Sequence, residues 1–205
     1  MRGLVDKLMN SYFLFDFDGT LTKKEVLPEI AKLCKENDRI RELTDKTISG
    51  QISFVDSFSE RVNILGHLEP GLVNEVIQQI PIFEELLEFI LSNLNRCAVV
   101  TNNLDIWVKP FLDSLKIVNF CSIGKYESGR TQIVKINKKE DALKDYSNYF
   151  TVYTGDGAND TQIMRSCNLG IASNIIHNVP KNLLSVANLV VSSERTLCKI
   201  LNQLS

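Results

Sequence analysis

The sequence predicts an α/β protein: a doubly wound parallel sheet with a Rossmann-like core, into which a helical cap is inserted after the first strand. After residue 96, short apolar runs alternate with helical patterns, which is typical of parallel sheets covered by helices. Two apolar runs stop at acidic, glycine-containing sequence, as strands do where an active site lies beyond a sheet edge. From residue 24 to about 95 the apolar spacing is helical. We therefore expect a core formed by residues 1–22 and 96–205 and a cap formed by residues 23–95.

The first strand is predicted at residues 12–15, an apolar run that ends at Asp-Phe-Asp-Gly-Thr, residues 16–20. This junction indicates a buried parallel strand followed by a tight loop. Asp16 and Asp18 straddle the strand end, so one can act as nucleophile or metal ligand while the other transfers protons. An Asx-turn or a helix cap explains one of these aspartates but not the whole string.

The other elements are predicted in chain order from apolar spacing and turn-forming residues. Cap helices are expected from Pro28 onward, around residues 38–44, and over 53–65, 69–79 and 82–94. Core strands are expected at residues 97–100, within 117–136 around a turn at 127–130, and at 150–154, 169–172 and 189–191. Core helices are expected through Trp107, over 139–146, through Ile163, near 181–186 and over 194–203.

A second acidic segment, Gly-Asp-Gly-Ala-Asn-Asp at residues 155–160, follows the strand predicted at 150–154. Two acidic strand ends can converge at one edge of a parallel sheet and bind a hard cation. Mg²⁺ prefers carboxylate oxygens, retains waters and bridges to substrate phosphate. Asp156 and Asp160 are therefore candidate partners of Asp16 around Mg²⁺.

Two further segments allow alternative interpretations. Thr101-Asn102-Asn103 follows an apolar run, where it can contact phosphate oxygens or cap the next helix. Lys139 precedes the strand that leads to Asp156, where it can neutralise a phosphate and the nucleophile or lie on the solvated surface.

Composition limits the function classes. The net charge is −2 with dispersed basic residues, which argues against nucleic-acid binding. No apolar run reaches membrane-spanning length, and the first residues lack a signal-peptide pattern, so we expect a cytoplasmic protein. His67 and His177 have no acidic partner nearby in sequence and are expected to be structural or exposed. Five scattered cysteines are expected to be buried free thiols: Cys34, Cys97, Cys121, Cys167 and Cys198.

In this order, residues 16–20, Thr101, Lys139 and residues 155–160 resemble the four motifs of the haloacid dehalogenase superfamily of phosphatases. The third motif is assigned to Lys139 because Lys-x-x-Ala-Leu resembles it, with Lys138 as the alternative.

The resemblance implies the chemistry of the site. Asp16 would be the nucleophile that forms an aspartyl-phosphate, and Asp18 the acid and base. Mg²⁺ would be held by the Asp16 carboxylate, the Asp18 backbone carbonyl and Asp156, while Asp160 would hold metal-bound water or brace the lysine. The residues implied to bind the phosphate are Thr101, Asn102, Lys139 and Asn159.

Within that superfamily, the chain is similar to the phosphoserine phosphatase family. Glu25 and Arg61 fall where that family contacts the amino-acid part of the substrate, and Ile48 and Phe54 fall where apolar cap residues close over it. The chain departs from the family at residues 101–103, Thr-Asn-Asn in place of Ser-Gly-Gly. Asparagine side chains there would narrow the backbone approach to the substrate.

The resemblance implies a Mg²⁺-dependent phosphomonoester hydrolase acting on phosphoserine or a similar small phosphorylated metabolite. One alternative is a phosphatase for another small phosphomonoester, or a phosphotransferase. Another is a non-catalytic Mg²⁺- or phosphate-binding regulatory module. Asp18 argues against the last, because a passive acceptor needs no second carboxylate beside the nucleophile. The oligomeric state stays open.

Overall fold

The computed structural model describes residues 10–205, and it contains one sheet of seven strands in the order β4-β3-β2-β1-β5-β6-β7 in that part of the chain. The prediction that the first residues carry no signal peptide concerns residues 1–9, which lie outside the described part of the chain. The strands are β1 (Ser11–Phe15), β2 (Cys97–Leu104), β3 (Val118–Glu127), β4 (Arg130–Lys135), β5 (Phe150–Gly155), β6 (Leu169–Ser173) and β7 (Leu189–Val191).

The sheet is parallel except for the hairpin of β3 and β4. β1 lies in the middle, where Phe15 pairs with Val99 of β2 and with Thr154 of β5. All five residues of β1 are buried, as a central parallel strand requires. The carboxyl ends of β1, β2 and β5 are therefore neighbours at one sheet edge, and the predicted doubly wound fold is confirmed.

Both faces of the sheet are covered, as the alternation of β1 side chains shows. Phe13 and Phe15 pack into one hydrophobic cluster, and Tyr12 and Leu14 into another on the opposite face. The helices that follow β2 are α6 (Asp105–Ser114), α7 (Thr161–Ser166), α8 (Lys181–Leu184) and α9 (Glu194–Leu204), numbered after the five helices of the insertion below.

Five helices lie between β1 and β2, in agreement with the helical spacing of this region. The start of the insertion lies beside the segment that precedes its last helix, because Thr22 forms an antiparallel bridge with Ile82 and the Lys23 N–H donates to the Pro81 carbonyl at 2.7 Å. The division into core and cap at residues 22 and 96 stays a prediction. The helices are α1 (Val26–Ala31), α2 (Asn37–Ile48), α3 (Phe54–Leu65), α4 (Pro70–Gln78) and α5 (Glu84–Ser92).

Two predicted elements differ in kind or length. Residues 139–146 form a 3₁₀-helix rather than an α-helix, and its two buried side chains, Lys139 and Ala142, are one 3₁₀ turn apart. β2 continues through residues 101–103, for which a helix cap is one predicted alternative, and ends at Leu104. Its pairing with β3 has an irregular register after Val100. Helix α6 begins after Leu104 and has no side-chain cap, so the helix-capping interpretation of Thr101-Asn102-Asn103 is wrong.

The five cysteines are free thiols, as predicted, although only Cys97 and Cys198 are fully buried. Over residues 10–205, no helix has both the length and the apolar character needed to cross a membrane.

Candidate active site

The loop after β1 brings the first acidic segment against the second. The Asp16 N–H donates to the Thr154 carbonyl at 2.9 Å, which fixes the loop to β5. Gly19 has a φ of +62° and lies so close to the Asp156 carboxylate that a Cβ atom would collide with it. Glycine is therefore required at this turn, both for its backbone conformation and for the close approach.

Lys139 lies between two of the aspartates. Its ammonium is 2.7 Å from Asp16 Oδ1 and 2.6 Å from Asp160 Oδ1, and the side chain is buried. Burial disfavours this charge, but Asp16 and Asp160 outweigh burial and raise the pKa of Lys139. Lys138 is exposed, whereas Lys139 reaches both aspartates, which favours Lys139 over Lys138 as the lysine of the third motif.

Asp160 is fully occupied by protein donors. Oδ1 accepts from Lys139 and, at 2.6 Å, from the Tyr153 hydroxyl. Oδ2 accepts from the N–H groups of Asp156 and Gly157, both at 3.0 Å. These contacts favour the bracing role for Asp160 over direct metal ligation.

The contacts of Asp16 with Lys139 and with its own loop are made by one carboxylate oxygen, Oδ1. Oδ1 contacts Lys139 and accepts the Phe17 N–H at 2.7 Å, while the residue lines the cavity of the site. Burial, followed by the charge of Asp160, raises the pKa of Asp16 well above its ordinary value, against the attraction of Lys139.

Asp18 has different partners although it is two residues away. Oδ1 accepts the Val26 N–H at 2.7 Å, and Oδ2 accepts from Asn103 Nδ2. Burial and the charge of Glu25 raise the pKa of Asp18 to about 7. A carboxyl group that titrates near neutrality can both donate and accept protons.

Asp156 fits a cation ligand. Its Oδ2 atom is buried and has no hydrogen-bond partner in the described part of the chain, which is costly for a carboxylate unless a positive group binds there. Carboxylate oxygens of Asp16, Asp156 and Asp160 lie within 4.8 Å of one another. Burial, with the charges of Glu25 and Asp16, raises the pKa of Asp156 well above its ordinary value. This cluster can therefore hold a hard divalent cation.

The end of β2 carries a network of amides. Thr101 Oγ1 accepts the Asn103 N–H at 3.1 Å. Asn102 donates to the Asn137 carbonyl at 2.7 Å and accepts from Asn159 Nδ2 at 3.2 Å. The asparagine side chains thus tie β2 to the loops around it while Thr101 faces the cavity.

Arg61, on α3, also lines the cavity. It is 5% exposed, and its Nη1 donates to Thr44 Oγ1 at 3.0 Å and its Nε to the Ser57 carbonyl at 3.3 Å. Among residues 10–205, no carboxylate lies within 4.0 Å of its guanidinium. Burial lowers the pKa of Arg61, while the charges of Glu25 and Asp18 oppose that shift. A buried guanidinium without an ion-pair partner is suited to binding an anion.

Glu25, at the start of α1, contacts a residue that we did not expect in the site. His177 Nε2 is 3.1 Å from Glu25 Oε1. The interpretation of His177 as merely structural or exposed is therefore incomplete, because its acidic partner lies far away in sequence. His67 is exposed, as expected, with Nδ1 2.9 Å from the Ile64 carbonyl.

The site contains a cavity of about 50 Å³ between the sheet edge and helices α2 and α3, lined by Asp16, Asp18, Glu25, Arg61, Asp156 and residues 101–103, among others. Ile48 and Phe54 line it, as predicted for apolar residues that close over a substrate. One wall is thus acidic, another offers Arg61, and the rest is partly apolar. The lining also includes Leu27, Thr47, Phe58, Gly157 and Asn159.

The order and geometry of these motifs agree with a comparison against known families. The sequence model of haloacid dehalogenase-like hydrolases matches residues 13–165, more than half of the chain. This chain belongs to the haloacid dehalogenase-like hydrolase family. The resemblance inferred from the motifs is confirmed, and the chain is a hydrolase of a family that includes phosphatases.

Several proteins that are similar to this hydrolase are phosphoserine phosphatases. That of Methanocaldococcus jannaschii is 29% identical over 175 residues, covering 78% of this chain and 83% of the relative. That of Archaeoglobus fulgidus is 26% identical over 199 residues, covering 86% of this chain but 57% of the relative. A solved substrate-bound phosphoserine phosphatase complex has a TM-score of 0.79 and 25% identity, covering 95% of this chain and 98% of the other. A phospho-aspartyl intermediate analogue of phosphoserine phosphatase has a TM-score of 0.78 and 25% identity, covering 92% and 97%.

The fold brings together every residue predicted for the site of this hydrolase, and it adds three. Tyr153 is hidden in a strand-like run, where its hydroxyl reaches Asp160. Asn103 appeared only within the segment 101–103, as a possible phosphate contact or helix cap and as a departure from a family pattern, yet it binds Asp18. His177 carried no local signal at all, because it meets Glu25 only in three dimensions.

Proposed function

We propose that this hydrolase is a Mg²⁺-dependent phosphomonoesterase that acts on phosphoserine or a closely similar small phosphorylated metabolite. The observation that carries the proposal is the buried Arg61, which lines the same cavity as Asp16 and has no ion-pair partner among residues 10–205. A substrate with a carboxylate at one end and a phosphate at the other would satisfy both sides of the cavity. The names of the similar proteins support the same substrate class.

The two aspartates would divide the chemistry. Asp16, whose Oδ1 is held by Lys139, would attack phosphorus and form an aspartyl-phosphate. Asp18 would give its proton to the leaving alkoxide. Asp18 would then take a proton from the water that attacks the phosphorus, which releases phosphate and restores the Asp16 carboxylate. A pKa of about 7 for Asp18 suits both transfers.

The acidic cluster would hold the Mg²⁺ ion. The ligands would be the Asp16 carboxylate, the Asp18 backbone carbonyl and Asp156, whose free Oδ2 atom supports the assignment. Asp160 would act through Lys139, which it contacts at 2.6 Å. When bound, Mg²⁺ lets an anionic nucleophile approach an anionic phosphate.

The remaining polar residues would bind the two ends of the substrate. Lys139, Thr101 and the Asn102–Asn159 pair would neutralise or hydrogen-bond the phosphate oxygens. Arg61 would bind the substrate carboxylate and Glu25 its ammonium group.

A second candidate keeps the chemistry and changes the substrate or the acceptor. The amide network of Asn102 and Asn103 favours it, because asparagine side chains stand where the resembled family has glycines. Another small phosphomonoester, or phosphoryl transfer to an acceptor other than water, would then be used. A non-catalytic phosphate-binding module is disfavoured, because a passive acceptor has no need of a second carboxyl group, that of Asp18, beside the nucleophile.

The deciding experiment is phosphate release by the purified protein with L-phosphoserine, phosphothreonine and sugar phosphates, each with Mg²⁺ and with excess chelator. We expect the highest kcat/KM on L-phosphoserine and loss of activity with chelator. The Asp16→Asn variant serves as the blank for contaminating phosphatases. A higher kcat/KM on a substrate without a carboxylate would favour the second candidate. Substrate loss without phosphate release, with a phosphorylated acceptor formed, would indicate transfer.

A further inference from the structure

We propose that His177 is a positioning residue for substrate recognition: it holds the Glu25 carboxylate where a substrate ammonium group would bind. This inference rests on the proposed function, because it takes Glu25 as the partner of that ammonium group.

The contact is one-sided, which is what a positioning role requires. His177 Nε2 lies 3.1 Å from Glu25 Oε1, and the two side chains are 26% and 16% exposed. Glu25 lines the cavity, whereas His177 is not among the lining residues. The imidazole therefore reaches Glu25 from outside the cavity and leaves the second carboxylate oxygen available to a substrate.

The loop that carries His177 is itself braced. The Asn174 N–H donates to the Val191 carbonyl at 2.7 Å, and Asn174 Oδ1 accepts the Val179 N–H at 3.1 Å. These bonds tie Asn174 to β7 and Val179 to Asn174, so the loop is held on both sides of His177. This braced loop thus presents the imidazole to Glu25, the residue that precedes α1.

The contact also lies next to the acid–base carboxyl group. Glu25 immediately precedes Val26, whose N–H donates to Asp18 Oδ1 at 2.7 Å. Holding Glu25 therefore also restrains the peptide that orients Asp18. Because the hydrogen bond of the imidazole is to Glu25 and not to Asp18, we expect the larger effect on substrate binding.

Acidic groups surround the imidazole on several sides. The hydrogen bond to Glu25 raises the pKa of His177, burial opposes the rise, and Asp45 and Asp18 add to it. An oxygen of Asp156 lies within 4.8 Å.

The test compares two substrates that differ only in the ammonium group: L-phosphoserine and 3-phosphooxypropanoate, which keeps the carboxylate and the phosphate. His177→Leu removes the donor, and His177→Gln keeps an N–H donor. His67→Leu is the matched control, since the chain has only two histidines and His67 is exposed.

We expect His177→Leu to raise KM for L-phosphoserine roughly three- to tenfold, the effect of one weakened hydrogen bond, with kcat changed less than about twofold. KM for 3-phosphooxypropanoate should stay near wild type, and His177→Gln should recover most of the loss. Equal changes on both substrates, or a fall in kcat alone, would overturn the inference, because they indicate a structural role.

Imidazole NMR tests the contact without any substrate. In Mg²⁺-containing buffer, the pKa of His177 should be lower in Glu25→Gln protein than in the wild type, because the hydrogen bond to Glu25 raises it. No change at His177 would overturn the inference even if phosphoserine is hydrolysed. If the wild type does not hydrolyse L-phosphoserine, the proposed function fails, and the role of His177 in recognition fails with it.

Discussion

Two residues of the same type, two positions apart, receive different environments in this site. Asp16 is held by a lysine and by its own loop, whereas Asp18 is held by two neutral N–H donors from the insertion and from β2. The Lys139 ammonium favours the ionised form of Asp16, although burial and Asp160 still raise the pKa of this carboxyl group. Asp18 has neutral donors, and burial with the charge of Glu25 raises its pKa to about 7. The difference in environment, rather than in chemical type, supports their assignment to separate roles.

We expect Asp16→Asn to abolish turnover, because an amide oxygen cannot form the aspartyl-phosphate. Asp18→Asn should lower kcat by roughly 10²–10⁴-fold, the usual effect of losing a general acid–base group. Phosphate release at saturating L-phosphoserine measures both. Asp38→Asn, which makes the same charge change at an exposed position, is the control. Near-wild-type release by Asp16→Asn would rule out the covalent route.

Arg61→Ala tests recognition of the substrate carboxylate. A hydrogen bond to a charged group contributes about 1.5–3 kcal/mol, so kcat/KM for L-phosphoserine should fall about ten- to a hundredfold. An aryl phosphate without a carboxylate should be affected much less. Circular dichroism of the variant checks that the lost bonds to Thr44 and Ser57 leave the fold intact. Equal losses on both substrates would instead assign Arg61 to closure or folding of the insertion.

Asn103→Gly tests whether the departure from Ser-Gly-Gly supports catalysis. Burial sets the pKa of Asp18 near 7 and donation from Asn103 opposes that rise, so removing the donor should raise the pKa. The alkaline limb of the kcat profile should therefore move to higher pH, with kcat lowered roughly tenfold. Asn102→Gly, which loses no contact to Asp18, is the paired control. A profile unchanged by Asn103→Gly would show that the amide does not act on Asp18.

At the residue scale, the sequence identified groups whose neighbours lie within a few positions or whose motif is long. The segments 16–20 and 155–160 could be predicted as parts of the site because each combines a strand end, glycine and aspartate. Tyr153 and His177 could not, since each acquires its partner only when distant segments meet. The family resemblance supplied Glu25 and Arg61, which spacing alone could not distinguish from ordinary helix residues.

At the scale of elements, the hairpin of β3 and β4 supports the insertion that carries Arg61. The Thr131 N–H donates to the Gly66 carbonyl at 2.7 Å, just beyond the end of α3. Tyr126 donates its hydroxyl to Glu69 at 2.6 Å. The sequence predicted the hairpin from its turn but not this contact, because nothing in the strand pattern identifies what the outer edge of a sheet will touch.

Gly66→Ala should disturb that junction. A Cβ atom there would lie 2.9 Å from the Val62 carbonyl oxygen and 3.0 Å from that of Thr131, both backbone atoms that cannot rotate away. We expect a loss of about 1–3 kcal/mol in the free energy of unfolding and a higher KM for L-phosphoserine. Gly71→Ala is the matched control, since no atom lies within 4 Å of its added methyl group. Equal stability of the two variants in denaturant titrations would refute the proposed clash.

The length and regularity of elements were predicted less well than their existence. β2 extends to Leu104 because its polar end is buried at the sheet edge, an environment that a polar triplet does not reveal. The helix at 139–146 is a 3₁₀-helix whose two buried residues, Lys139 and Ala142, are three positions apart. The position of Lys139 depends in turn on its contacts with Asp16 and Asp160. Both errors occur where an element is shaped by the site rather than by its own propensity.

At the scale of the whole molecule, the site concentrates negative charge in a buried region of a chain whose net charge is only −2. Burial raises the pKa values of Asp16, Asp18 and Asp156 together. The fold therefore maintains carboxylates in conditions that oppose their ionisation, and a bound cation would relieve that cost. Stability, and not only activity, should depend on Mg²⁺.

The sign of the pH effect follows from these shifts. The pKa of Asp18 rises from 3.8 to about 7 on folding, so between these values the folded state binds more protons than the unfolded state. The free energy of unfolding of metal-free protein should therefore fall as pH rises through this window, by at most about 1.4 kcal/mol per pH unit for one such group. Asp156, shifted in the same direction, adds to the slope. Urea titrations of chelated protein at about pH 5 and about pH 8 measure it.

Mg²⁺ should reverse the loss, because a ligand that binds only the folded state stabilises it by mass action. At about pH 8, saturating Mg²⁺ should raise the midpoint of wild-type unfolding but have little effect on Asp156→Asn, which lacks the carboxylate with the free oxygen. Asp156→Asn should also show a shallower pH slope without metal, while the exposed Asp38→Asn should keep both wild-type responses. If Asp156→Asn responds to Mg²⁺ as the wild type does, the ion binds elsewhere, and the buried Oδ2 atom of Asp156 is not its ligand.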